Sequence, residues 1–194
     1  MLTSESPLPI AQANAEELTT LAHHEDFLIR AAVARHPNTP VTVLGALAAD
    51  HPEEVLHNPA LPLVLLARSP DVARWPAPAL LALIACPGAP DALLVLAARH
   101  PDPDVQGALA CRNGLPWEAL GTLARSDNWD VRARIARQPA LPLPLIAQFA
   151  RDADYGVRRA VAARPELPGA VRSTLTHDPH PLVRAAARSS KESA

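Results

Sequence analysis

Arginine recurs at a fixed spacing in the second half of the chain, where Arg132, Arg158 and Arg184 follow one another at intervals of 26 residues. Guanidinium groups neutralise phosphates and other anions. Equivalent positions of a repeat protein align as a stripe along one surface. The spacing therefore predicts a ladder of positive charge that binds an anion or a nucleic acid.

The same arginines also have a structural interpretation. Each can pair with a nearby acid, such as Asp127, Asp152 or Asp178, and brace the loop between two repeats. Because the arginines belong to the repeat pattern itself, we favour this interpretation and keep anion binding as the alternative.

Aromatic residues form a second column, three positions before an arginine, at Phe27, Trp129 and Tyr155. Their faces predict base stacking or cation–π contacts. The structural alternative, which we favour, is that one aromatic side chain in a loop covers the end of the core. The candidate ligand- or anion-binding surface consists of Arg132, Arg134, Arg158, Arg159, Arg184, Trp129 and Tyr155.

The histidines do not form a recognisable metal or catalytic pattern. The pair His23 and His24, and His177 with His180, have no cysteine or carboxylate at a spacing that would complete a ligand set. The sequence also has no glycine-rich phosphate loop, no nucleophile elbow and no HExxH motif. We therefore expect no enzymatic activity, no metal and no cofactor.

The helices that position these residues follow from a 26-residue repeat. A valine and a later proline both recur on this period: Val105, Val131, Val157 and Val183, and Pro116, Pro142 and Pro168. Apolar spacing after each proline predicts a first helix with proline at its first position. The segment after each valine predicts a second helix of about two turns that ends at the next proline. Stacking of repeats must supply the core, because no single repeat buries its aliphatic face.

These repeats predict one solenoid of about seven units over residues 15–190, with a flexible segment at 1–14 and a tail at 191–194. The pattern is irregular over residues 56–90, where we expect a change of curvature or one repeat out of register. No secretory signal is evident, and no aliphatic run is long enough to span a bilayer. We therefore expect a soluble, cytoplasmic protein.

The composition is aliphatic, with 48% hydrophobic residues but only 3% aromatic residues, and 22 prolines. So much apolar area argues against disorder. Residues 1–97 hold 4 Lys and Arg against 10 Asp and Glu (4 − 10 = −6), and residues 98–194 hold 14 against 10 (14 − 10 = +4). The second half therefore favours an acidic partner. We expect the two cysteines, Cys86 and Cys111, to be buried as small apolar residues.

Two long segments carry a family resemblance: IRAAVARHPNTPVTVLGALAAD from Ile29 to Asp50, and VRARIARQPALPLPLIAQFARD from Val131 to Asp152. They resemble the leucine-rich repeat variant family of bacterial helical repeat proteins. The resemblance implies an all-α, right-handed superhelix that alternates α-helices with short 3₁₀ helices, and no enzymatic activity. Some members carry an iron–sulfur module ahead of the repeats, but no cysteine precedes Cys86 here. HEAT-like repeats also use a Val-Arg pair but lack the paired prolines.

The sequence thus predicts a non-catalytic interaction module that binds a protein or an acidic peptide through an extended surface. The alternative is nucleic-acid binding through the arginine-rich C-terminal half, in which case affinity would fall steeply with salt. A DNA glycosylase-like enzyme is a distant third, since it rests on analogy of fold alone. The partner and the oligomeric state stay open.

Overall fold

The computed structural model describes residues 10–192, and every element in that range is helical. These residues form two compact modules: an N-terminal module that ends at His100 and a C-terminal module that begins at Pro101. The N-terminal module contains a 3₁₀ helix, Ile10–Gln12, and the α-helices α1 (Ala15–Leu21), α2 (Phe27–Arg35), α3 (Val41–Leu47), α4 (Pro52–Leu56), α5 (Leu61–Ala67), α6 (Ser69–Val72), α7 (Ala77–Ala85) and α8 (Asp91–Ala97). The C-terminal module contains α9 (Pro103–Ala110), α10 (Trp117–Leu123), α11 (Trp129–Ala136), α12 (Leu143–Phe149), α13 (Tyr155–Ala162), α14 (Gly169–Leu175) and α15 (Pro181–Glu192). The predicted all-α fold is confirmed.

The predicted terminal segments lie partly outside the described residues. Of the flexible segment at 1–14, the structure describes the residues from the 3₁₀ helix at Ile10 onward, and of the tail at 191–194 it describes the end of α15 at Glu192. The single solenoid over 15–190 and its right-handed superhelix stay predictions. None of the described helices is both long enough and apolar enough to cross a membrane.

Within residues 10–192, seven first helices of seven residues each begin the repeats: α1, α3, α5, α8, α10, α12 and α14. Their start positions are 26 residues apart except around α5, which begins 20 residues after α3 (61 − 41) and 30 residues before α8 (91 − 61). One repeat is therefore shortened and the next one lengthened. The change of spacing falls within residues 56–90, where the sequence predicts irregular repeats.

First and second helices begin with different caps. Proline occupies the N-cap of the first helices α3, α8, α10, α12 and α14, one position earlier than the sequence predicts. The extended backbone of an N-cap suits the fixed φ of proline, and the proline carbonyl still accepts the first helical bond, as Pro40 O does from Leu44 N at 2.9 Å. The second helices α2, α9, α11 and α13 begin instead with an aspartate or asparagine whose side chain accepts a bond from a backbone N–H.

The second helices of the regular repeats are α-helical, which corrects the 3₁₀ geometry implied by the family resemblance. They have eight or nine residues in α2, α9, α11 and α13. Their bonds run from residue i to residue i−4, as from Arg132 N to Asn128 O at 3.3 Å. Between the Asx cap and the next proline there is room for two α-helical turns. The predicted length of about two turns is therefore right, whereas 3₁₀ winding is not.

Valine and alanine on the second helices form the interior of the C-terminal module. The recurring valines Val105, Val131, Val157 and Val183 are all buried, as are the alanines five residues after the first three of them. Side chains this small let α11 pack closely between α9 and α13, and let α15 pack against α13. Stacking of repeats thus supplies the core, as predicted.

The irregular segment of the N-terminal module is organised around Trp75. In this module α4 packs between α2 and α7, so that α7 takes the place of a second helix, while α6 packs against α3 and α5. Trp75, which follows α6, is buried, and its indole Nε1 donates a 3.0 Å hydrogen bond to the carbonyl of Val41. Its ring lies against the backbone of Gly45 in α3. The absence of a side chain at Gly45 makes room for the tryptophan.

Two glycine-to-alanine substitutions should therefore have opposite effects on stability. A Cβ at Gly45 would overlap the Trp75 ring, so Gly45→Ala should lower the free energy of unfolding by about 1–3 kcal/mol. Gly107 lies in α9 with no atom near its added Cβ, so Gly107→Ala should raise it by about 0.5–1 kcal/mol. Urea denaturation followed by tryptophan fluorescence measures both. Equal effects in the two variants would show that Trp75 does not need this close approach.

Candidate binding surface

The arginine ladder of the C-terminal module connects consecutive repeats. Arg132 donates to both carboxylate oxygens of Asp152, from Nε at 2.8 Å and from Nη2 at 2.9 Å. Arg158 does the same with Asp178, at 2.7 and 3.2 Å. In each pair the aspartate lies 20 residues further along, at the end of the next first helix. Such a two-point contact fixes both the orientation and the charge of the guanidinium.

The third nitrogen of each arginine holds the loop that precedes its own helix. Nη1 of Arg132 donates to the carbonyls of Ser126 and Asp127, and Nη1 of Arg158 donates to those of Asp152 and Ala153. Arg184 repeats this contact with Asp178 and Pro179, and Arg30 repeats it with His24 and Glu25 in the N-terminal module. The four arginines therefore brace loops, in agreement with the structural interpretation of the pattern.

Burial makes these ion pairs stronger than ordinary surface pairs. The side chains of Arg132 and Asp152 are 16% and 10% exposed, and those of Arg158 and Asp178 are 14% and 5% exposed. Burial alone would raise the pKa of each aspartate, but hydrogen bonds from the arginine and from a backbone amide outweigh it, so the pKa of both carboxyls lies below the ordinary value. Each pair is ionised at neutral pH, and the charge of its arginine is already neutralised.

The other two candidate arginines differ from the ladder and from each other. Arg134 donates to Asp130 at 2.7 Å and to the sulfur of Cys111 at 2.9 Å. Arg159 is exposed, and its guanidinium has no hydrogen-bond or ion-pair partner among residues 10–192. The predicted burial of the cysteines is wrong for Cys111, which is exposed, whereas Cys86 is half-buried. Cys111 is the C-cap of α9, where its sulfur faces Arg134 on the next second helix instead of the core.

The aromatic column packs from each repeat onto the next. Tyr155 stacks on His180, with ring centroids 3.9 Å apart, and the Trp129 ring lies against Gly156. Phe27 makes the equivalent contact with His51 in the N-terminal module, at 4.3 Å. Trp129 and Tyr155 stay 49% and 44% exposed. Because one face of each ring is already occupied, these contacts support the structural interpretation more than base stacking.

A column of polar residues that the sequence analysis missed lies directly before the first proline of several repeats. Asn58 donates to the carbonyls of Ala34 and His36, both at 2.8 Å. Gln138 donates to those of Ala110 and Arg112, at 2.9 and 2.7 Å. Arg164 donates to those of Ala136 and Gln138, at 2.8 and 2.7 Å. We call these three residues the pre-proline bridge, because each satisfies open carbonyls at the end of the preceding second helix. The signal available in the sequence was a polar residue on the repeat period before each proline.

A chain of three clefts runs along α9, α11 and α13 of the C-terminal module. The first lies between α9 and α11, near Asp104, Asp130 and Arg134, and the second continues from Asp130 and Arg134 to Arg137 and Pro139. The third has a volume of about 470 Å³ and is lined by Arg137, Pro139, Ala160, Ala163, Arg164, Pro165 and Glu166. Successive clefts share lining residues, and we call the three together the second-helix groove.

Neither the histidines nor the cysteines of residues 10–192 assemble into a metal site, since no group of three or more His, Cys, Asp and Glu is close enough to hold an ion. His177 contacts the carbonyl of Ser173, and His180 accepts a bond from the amide of Leu182 and stacks on Tyr155. The histidines flagged by their spacing thus make local structural contacts.

The arginine ladder can be tested with two neighbouring residues. Arg158→Ala leaves Asp178 buried without its partner and frees two loop carbonyls, so it should lower the free energy of unfolding by about 3 kcal/mol. Arg159→Ala removes an exposed, unpaired arginine and should change it by less than about 0.5 kcal/mol. Chemical denaturation of both variants makes the comparison. Similar small losses in both would contradict a bracing role for the ladder.

His51 gives the N-terminal module a distinct pH dependence. It is fully buried, and neither ring nitrogen has a hydrogen-bond partner among the described residues. Desolvation lowers the pKa of His51 below its ordinary value of about 6.5, against the attraction of Glu54. The unfolded chain therefore takes up the proton first, and stability falls as the pH drops through about 6.5, by at most about 1.4 kcal/mol per pH unit.

In His51→Phe this contribution should disappear while the ring contact with Phe27 is kept. Urea unfolding of wild type and variant at several pH values between about 7 and 5 measures the difference of slopes. Parallel pH profiles for the two proteins would show that His51 does not titrate differently on folding.

Comparison with known proteins supports the repeat assignment. The family model described as leucine rich repeat variant matches residues 28–52 and residues 155–180. No curated protein and no solved structure matches the chain. The first match lies in the N-terminal module and the second in the C-terminal module. The matching model is the one for the family that the sequence resembles, and it covers one segment of each module.

Proposed function

We propose that this chain is a non-catalytic interaction module whose second-helix groove binds an acidic segment of a protein partner. The observation that carries the proposal is the groove itself, which extends over three consecutive second helices of the C-terminal module. A helical repeat framework holds such a surface in place before binding, so little conformational entropy is lost on association.

The net charge of the C-terminal module favours an acidic partner. Residues 101–194 hold 13 Lys and Arg against 10 Asp and Glu (13 − 10 = +3), whereas residues 1–100 hold 5 against 10 (5 − 10 = −5). In the groove, Arg137 is exposed and its guanidinium makes no hydrogen bond or ion pair within residues 10–192, and the guanidinium of Arg159 on α13 is equally free. Free guanidinium groups next to apolar walls suit carboxylates carried on an extended peptide.

Nucleic-acid binding is the weaker proposal, because the arginines that suggested it are already engaged. To contact phosphates, Arg132 and Arg158 would have to leave their aspartates and the loop carbonyls that they hold. The rings of Trp129 and Tyr155 are each about half covered, and both contact the next repeat. Because the guanidinium groups of Arg137 and Arg159 are free, nucleic acids are included in the binding test.

The test is fluorescence anisotropy with three labelled peptides of the same length: one of Glu, Leu and Ala, one with Gln in place of Glu, and one with Lys. The Glu peptide should bind at least about tenfold more tightly than the Gln peptide, equivalent to ~1.4 kcal/mol, and its affinity should fall with salt. The Lys peptide should not bind. Single- and double-stranded DNA and RNA are titrated in parallel.

A carboxylate placed in the groove should block the peptide. Ala163 lines the third cleft, so Ala163→Glu should weaken binding of the Glu peptide by about tenfold or more. Ala185→Glu makes the same change at an exposed position of α15 that lines none of the three clefts, and it should have little effect. Equal losses in both variants, or salt-sensitive nucleic-acid binding without peptide binding, would overturn the proposal.

A further inference from the structure

The pre-proline bridge contains a charge that its structural task does not require. Asn58 and Gln138 satisfy two carbonyls each with a neutral amide. Arg164 occupies the same repeat position as Gln138, 26 residues later, and bonds the equivalent two carbonyls. An amide is therefore sufficient for these two bonds, which do not require the positive charge of Arg164.

Arg164 is also incompletely satisfied. Of its five N–H donors, Nη1 uses two on Ala136 and Gln138, and Nη2 uses one on the carbonyl of Pro139 at 2.9 Å. Nε is buried without a partner. No carboxylate of residues 10–192 lies within ion-pair distance of this guanidinium, unlike those of Arg132 and Arg158. Burial lowers the pKa of Arg164, against the attraction of Glu166, because desolvation disfavours the charged form.

The Arg164 guanidinium lies at an open cleft of about 470 Å³. Arg164 lines the third cleft of the second-helix groove together with the unpaired Arg137. The remaining walls are mostly apolar, formed by Pro139, Pro165 and two alanines, and Glu166 is the single acid among the lining residues. Two guanidinium groups beside an apolar wall match a carboxylate that carries an apolar side chain next to it.

We infer that this cleft, the Arg137–Arg164 pocket, binds a carboxylate flanked by an apolar side chain, as at the C-terminus of a peptide. The inference deepens the proposed function and rests on it, since it names the point of the groove where an acidic partner is anchored. The carboxylate accepts hydrogen bonds from Arg137 and Arg164, and the apolar side chain covers the proline and alanine wall. The bound carboxylate would supply the negative charge that the local structure lacks.

Titration with a small probe tests the pocket apart from the rest of the groove. N-acetyl-L-leucine carries the carboxylate and the apolar side chain, and N-acetyl-L-leucinamide is its neutral counterpart. Binding is followed in ¹H–¹⁵N spectra, including the arginine Nε–H signals. The Nε atom of Arg164 is buried. The acid should bind at least about tenfold more tightly than the amide and should shift the Arg164 signal.

The variants separate charge from structure. Arg164→Gln keeps the bridge in the form that Gln138 already shows, and it should lose acid binding by about tenfold or more without a loss of fold. Arg137→Gln should weaken it similarly. Arg159→Gln removes one unpaired positive charge that does not line the pocket, and it should stay within about twofold of wild type. Amide spectra confirm that each variant is folded.

Three results would overturn the inference: equal binding of acid and amide, equal losses in Arg164→Gln and Arg159→Gln, or tighter binding of inorganic phosphate than of the acid. The Glu peptide of the preceding experiment separates the two proposals. If Arg164→Gln binds that peptide as wild type does, the proposed pocket is wrong, while the proposed binding of acidic peptides in the groove is supported. If the peptide does not bind but N-acetyl-L-leucine binds through both arginines, the groove proposal fails while the pocket stands.

Discussion

The carbonyls at the ends of the second helices impose the constraint on which the rest of the structure depends. A helix of two turns that stops before a proline leaves its last carbonyls without intrahelical donors, and a buried carbonyl without a donor is costly. The following repeat provides the donors through the pre-proline bridge. Close packing of small side chains is possible because these junctions are satisfied. The arginine–aspartate pairs hold the starts of α11 and α13, so α11 is fixed at both ends.

The sequence predicted the fold because the 26-residue period is regular in the C-terminal module, where successive second helices pack closely. Val131, Val157 and Val183 are buried at equivalent places, and the prolines lie at the helix boundaries. The predictions failed where the environment of a residue depends on another residue that is distant in the sequence. Nothing next to Cys111 shows that an arginine 23 residues away will draw its sulfur to the surface. Likewise, Gly45 is explained only by Trp75, which lies 30 residues further on.

The candidate site was predicted in part, for the same reason. The arginine column was recognisable, and its structural interpretation is the one that the ion pairs support. The residues that we now place in the groove, Arg137 and Arg164, are also arginines of the repeat, but their importance comes from a missing partner. Spacing shows which residues recur, whereas it does not show which of their charges are neutralised. That distinction needs the distances to every neighbouring carboxylate.

The shortened repeat shows that the contact between neighbouring repeats does not depend on the length of the second helix. In α4 the second helix is reduced to five residues, yet Asn58 behind it still reaches the same two carbonyls of the preceding repeat. The loss of length falls on the middle of the helix, while the contact at its end is retained. A helix can therefore lose residues from its middle without uncoupling neighbouring repeats. Repeat length varies within this one chain, while the contact made by the residue before the proline is kept.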